Sequence, residues 1–194
     1  MFSHRVVIAA ALAGLFALPA LPAHAQSSLG GKVAGVCMLS RDQVLAQSKV
    51  GQAASARMQQ LAQQAGETVK KLREPLQKDI QQFQQQAQSM QPQQRAEKQK
   101  QLQQRMATVQ QEAQQYDQRL RITRGKAMNR IGNEIGPLLS GIYKRRGCGI
   151  LVDRDSVLGG NEANDLTNDV VKALDAKMST ISFSLAPLPK QNGK

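Results

Sequence analysis

The chain has no tryptophan, and only two tyrosines and four phenylalanines among 194 residues. So few aromatic faces exclude the stacking platforms that single-stranded nucleic acid needs, and no nucleic-acid partner is expected. Histidine is nearly missing as well. The two present, His4 and His24, both fall within the first 25 residues. Beyond them no imidazole exists to act as a general base or metal ligand. The two cysteines, Cys37 and Cys148, cannot build a zinc site alone. Gly159-Gly160 runs into Asn161 with no Lys-Ser/Thr after it, so P-loop and dinucleotide-binding spacings are absent. Asp153 and Asp155 form one spaced carboxylate pair, and a turn after a strand accounts for them. The expectation is a protein that is not an enzyme, with no catalytic residue, no metal and no cofactor.

Long apolar runs are missing everywhere except at the start. Residues 1–25 have the build of a secretory signal peptide. Arg5 supplies the positive charge, residues 6–18 the apolar stretch, and Ala23-His24-Ala25 a small-x-small cleavage site before Gln26. The stretch is short for a membrane span. Cleavage near Ala25 is expected, which sends the chain to an oxidising compartment. In that compartment, a disulfide between Cys37 and Cys148 and two buried free thiols both fit the sequence.

Acidic residues are also few: 14 against 26 Lys and Arg. The imbalance is local. Residues 49–146 hold 18 basic and 7 acidic side chains, whereas the rest of the chain after Ala25 holds 7 of each. One region therefore carries all the excess charge and should attract acidic partners.

That region also has almost no turn residues. From Ala54 the apolar positions fall at Met58, Leu61, Ala65, Val69, Leu72, Leu76, Ile80, Phe83, Ala87 and Met90. Every step is three or four residues, one stripe down one helix. Between Met58 and Ile80 the steps repeat every eleven residues, which drifts little around a straight helix. Ser89-Met90-Gln91-Pro92-Gln93 then breaks the run. A second stripe follows in heptad register at Leu102, Met106, Val109, Ala113, Tyr116 and Leu120. Two stripes about one turn predict an antiparallel helical hairpin over residues 50–145, with its tip near residues 90–94. A helix of roughly forty residues is about 60 Å long, so the hairpin should project as an arm. Its seam is thin, and Pro75 predicts a kink.

The flanks predict a small body over residues 26–49 and 146–178. Residues 33–39 and 148–152 read as strands, and Ser156-Val157-Leu158 as a third short one. Asp165 or Thr167 caps a last helix with Val170, Val171, Leu174 and Met178 on its apolar face. Residues 179–194 read as a flexible tail, in which alternating Ile181, Phe183 and Leu185 suggest either an edge strand or disorder. Two or three short strands and one helix cannot close a core alone, so the body should need further copies of itself.

The order of these segments resembles the Skp (OmpH) family of periplasmic chaperones. The resemblance rests on residues 33–39, on Val44-Leu45-Ala46-Gln47-Ser48-Lys49-Val50-Gly51 and on the Gln-rich hairpin. It continues in Gly147-Cys148-Gly149-Ile150-Leu151-Val152-Asp153 and in Asp165-Leu166-Thr167-Asn168-Asp169-Val170-Val171. It implies an α+β fold, in which a coiled-coil arm projects from a small β body that trimerisation completes into a shared β-barrel. It further implies a periplasmic homotrimer that holds unfolded outer-membrane proteins between its arms without nucleotide. The oligomerisation body would use Val33, Val36, Ile150, Leu151, Val152, Val170 and Leu174.

On this reading a basic arm steers an acidic, unfolded client, and soft side chains then hold it. The basic candidates are Lys70, Lys71, Arg73, Lys78, Arg95, Lys98, Lys100, Arg105, Arg119, Arg121 and Arg124; the apolar ones are Phe83, Met90, Met106 and Tyr116. Two other readings use the same residues. One is binding of anionic lipid or lipopolysaccharide headgroups, and the other is a structural spacer in the cell envelope.

Overall fold

A computed structural model describes residues 30–189. The signal-peptide expectation for residues 1–25 lies outside the described residues, as do residues 190–194.

The order is β1 (Val36–Leu39), α1 (Arg41–Gln47), α2 (Lys49–Gln86), α3 (Pro92–Arg145), β2 (Ile150–Asp153) and α4 (Thr167–Lys177). Two 3₁₀ turns separate β2 from α4. Helices α2 and α3 form the hairpin. With 38 and 54 residues they are about 57 and 81 Å long. Helix α2 continues through Pro75, and α3 through Pro137.

Local chemistry sets the ends. Ser40 and Ser48 are buried N-caps whose hydroxyls accept the N–H of Gln43 and of Gly51, each at 3.2 Å. Pro92 opens α3 at the position where its missing N–H costs nothing. Gly147, at φ +66°, closes α3. Its own N–H bonds the Lys144 carbonyl and the Cys148 N–H bonds that of Tyr143, the paired bonds of a Schellman motif.

Strands β1 and β2 pair in parallel, Val36 opposite Ile150 and Leu39 opposite Asp153. The far edge of β1 is partly used by a bridge from Met38 to Asp165. Below the strands lies the core, where Leu39, Val44, Val50, Ala54, Ile131, Ile142, Leu166, Val170 and Leu174 pack together. It draws on both ends of the hairpin, which fixes the arm to the body.

Two expectations are corrected. Residues 156–158 form no third strand. Asp153 turns its carboxylate onto the N–H of Asp155, which starts a 3₁₀ turn and leads the chain off the ladder. The tail is neither an edge strand nor loose over its described part. Residues 179–189 lie along the hairpin, with Ile181 and Ala186 buried. Three arginines and one threonine hold its backbone, which local sequence pattern does not announce.

Candidate functional site

The arm seam is thin. Met58, Leu61, Ala65 and Leu76 of α2 are buried, yet Leu102 is the only buried apolar residue that α3 contributes between Pro92 and Tyr116. Small side chains line much of the seam, so the helices leave a groove on one face. Its base has a volume of about 770 Å³, between Leu45, Ala46, Ala56, Met58, Met128 and Arg124. It continues past Met58, Ala62 and Leu120, with Arg121 and Arg124 beside it. Further out it runs between Ala65, Val69, Ala113 and Tyr116, with Lys70 and Arg73 on the rim. Much of the lining is apolar, and its charged groups are Lys70, Arg73, Arg121 and Arg124 against Asp42 and Asp117, with Gln52, Ser55 and Gln59 as neutral polar groups. Such a trough accommodates an extended chain with apolar side chains and negative charge.

Only some of the sequence-predicted arm residues lie here. Lys70, Arg73, Tyr116, Arg121 and Arg124 line the groove. Lys71, Lys78, Arg95 and Lys100 are exposed elsewhere on the arm, and Lys98 is half-buried. Lys70 also pairs with Glu74 at 3.6 Å. Arg105 is committed to Asp79 across the hairpin. Arg119 stacks over the Tyr116 ring, 5.4 Å from its centre, and donates to the Ala186 carbonyl at 2.9 Å. Phe83 and Met90 are half-buried near the tip, and Met106 is 51% exposed. Sequence reasoning missed Leu45, Met58 and Met128 as lining residues. Met58 was visible only as a stripe position, and nothing local marks the open side of a seam.

The body presents a second surface. Ile150 is 58% exposed, and Val33, Leu151, Val157 and Leu158 are exposed with it. Val36 and Val152 are half-buried. Val170 and Leu174 face inward and are fully buried in the chain's own core. Parallel strands are normally covered on both sides. Here β2 has no further strand on its outer edge among the described residues.

Cys37 and Cys148 form a disulfide with their Cα atoms 5.7 Å apart. It joins the start of the hairpin to its end. Among the described residues no cluster of three or more His, Cys, Asp or Glu side chains is placed to hold a metal, and no helix is long and apolar enough to cross a membrane.

A family described as "Outer membrane protein (OmpH-like)" matches residues 35–174. The chain is similar to a crystal structure of an OmpH-like protein from Caulobacter crescentus, whose description names it an outer membrane chaperone. The two are 27% identical with a TM-score of 0.75, over 87% of this chain and 100% of that one. No curated protein matches the chain.

Proposed function

The chain belongs to the OmpH-like outer membrane protein family, and from that premise we propose that it is a periplasmic holdase chaperone. It binds unfolded outer-membrane β-barrel proteins along its arm and prevents their aggregation without nucleotide. The observation that carries this reading is the open groove, with its largely apolar lining and its excess of cationic groups. Arg73, Arg121 and Arg124 attract the client, and Met58, Val69 and Tyr116 give it adaptable contact. Each contact is weak, and several arms acting together make them strong.

Three copies would supply those arms. The exposed apolar edge of β2, centred on Ile150 and Leu151, supports assembly through a shared sheet. Residues 1–25 serve as the export signal and are removed near Ala25.

The test dilutes a urea-unfolded outer-membrane β-barrel protein into the chain spanning residues 26–194, with neither nucleotide nor lipid present. Light scattering follows aggregation across a salt series. Suppression near one trimer per client, weakening as salt rises, is the expected result. No suppression at any salt overturns the reading. A second reading, binding of anionic lipid headgroups, rests on the same cationic groups. Cosedimentation with vesicles containing an anionic lipid, against neutral vesicles, tests it.

A further inference from the structure

The C-terminal tail lies on a strip of the arm separate from the open groove. Ser182, Phe183 and Ala186 offer their carbonyls to Arg130 at 3.3 Å, Arg57 at 3.0 Å and Arg119 at 2.9 Å. The Ala186 N–H donates to the Thr123 hydroxyl at 2.8 Å. All four bonds go to backbone atoms, so the strip reads peptide groups rather than side-chain identity. From Arg130 back to Arg119 is about 16 Å along a helix. Ser182 to Ala186 covers about 13 Å if extended. The tail is thus held nearly straight, running antiparallel to α3.

Its side chains alternate. Ile181 is buried and Phe183 half-buried against the core, whereas Ser182 and Ser184 are exposed, Ser184 at the edge of a small cavity beside Thr123 and Ala127. Apolar and polar residues alternate in the same way along the strands of a membrane β-barrel.

We propose that this strip is a binding track for extended polypeptide of alternating apolar and polar residues, and that the chain's own tail occupies it as an internal stand-in for a client strand. The inference rests on the chaperone reading and adds to it a second client site under intramolecular control. A client must displace the tail to use the strip, and its apparent affinity there falls by the fraction of time the strip is free.

The experiment uses the full chain after residue 25 in two forms, native and I181D/F183D. A labelled peptide of residues 179–189 and a labelled unfolded β-barrel protein are each titrated by fluorescence anisotropy. Thermal melting checks the fold. If the double variant melts early, Ala186→Pro, which deletes the N–H given to Thr123 and crowds that buried position with a ring, replaces it. The peptide is expected to bind the released form about tenfold more tightly than the native one, as for a strip nine-tenths occupied. Excess peptide is expected to displace part of the bound client. Equal peptide binding by both forms, or peptide that binds without displacing client, overturns the inference. Equal client capture by both forms, with no peptide binding, overturns it and leaves the holdase reading standing. Failure of every form to bind client removes both.

Discussion

Cys37 and Cys148 are bonded across 111 residues of chain, with their Cα atoms 5.7 Å apart. The bond closes the whole hairpin into one loop, from β1 to the turn after α3. A cross-link over a loop of that size restricts the unfolded chain strongly. The C37A/C148A double variant is expected to lose about 2–5 kcal/mol of stability. Urea denaturation of the oxidised native chain against the variant checks it. Unchanged midpoints would mean that the body core alone holds the hairpin's two ends.

Gly51 sits in the first turn of α2 where α1 passes over it. A Cβ placed there would lie 1.8 Å from the Leu45 carbonyl oxygen, a backbone atom that cannot rotate away. Gly51→Ala must therefore push α1 off α2, in the middle of the core that contains Val44 and Val50. A loss of about 1–3 kcal/mol is expected, the usual cost of overpacking. Gly66→Ala is the control, because nothing lies within 4 Å of that position. It should raise helix stability slightly. Thermal melts of the two variants should move in opposite directions.

Asn164 is buried and spans the segment before β1. Its amide oxygen accepts the Val33 N–H at 3.1 Å, and its amide nitrogen donates to the Val33 carbonyl at 2.6 Å and to that of Val36. Asn164→Leu leaves those backbone groups without partners. Val33 is exposed, so water can replace part of the loss, and a total cost of about 1–3 kcal/mol is expected. Hydrogen exchange should report it first at the Val33 amide.

Asp79 and Arg105 join α2 to α3 in the distal arm. The hydrogen bond from Arg105 is the main reason that the Asp79 carboxyl lies below its ordinary value of 3.8. The charges of Arg105 and Lys98 add to it, against some desolvation. A depressed carboxylate contributes its stability fully above 3.8 and loses it as pH falls through the lowered value. The link therefore persists throughout the neutral range and weakens only in strong acid. An NMR titration should place the Asp79 midpoint below 3.8 and return it toward 3.8 in Arg105→Gln.

Ile150 is the most exposed residue of β2. If three copies complete the sheet, Ile150→Arg places a charge inside that contact. Sedimentation is then expected to show a fall in mass from three chains to one, with helix content kept. Val170→Arg, in contrast, should unfold the body, because Val170 is fully buried within one chain.

The body and arm differ in how far sequence pattern explains them. Ala54, Met58, Leu61, Ala65 and Leu76 are buried as their spacing predicts. Leu72 and Met106 occupy stripe positions too, yet both are exposed. A stripe states which face a helix would bury, and only the partner helix decides how much is covered. The partner here offers Gln and Ala at many facing positions, so the seam stays partly open.

The sequence by itself determined the two long helices and their hairpin. Three- and four-residue steps and the break before Pro92 act within a turn or two of the chain, so they are readable locally. Charge balance and the absence of histidine were equally plain. Tertiary structure alone decided which face of the hairpin opens into a groove, that β1 and β2 run parallel, and that the tail lies on α3. Those outcomes depend on groups far apart in the chain. Arg119 and Ala186 are 67 residues apart and share no sequence pattern. Their contact exists because the core around Leu174 and Ile181 brings the tail back to the arm, where a guanidinium can reach its carbonyl.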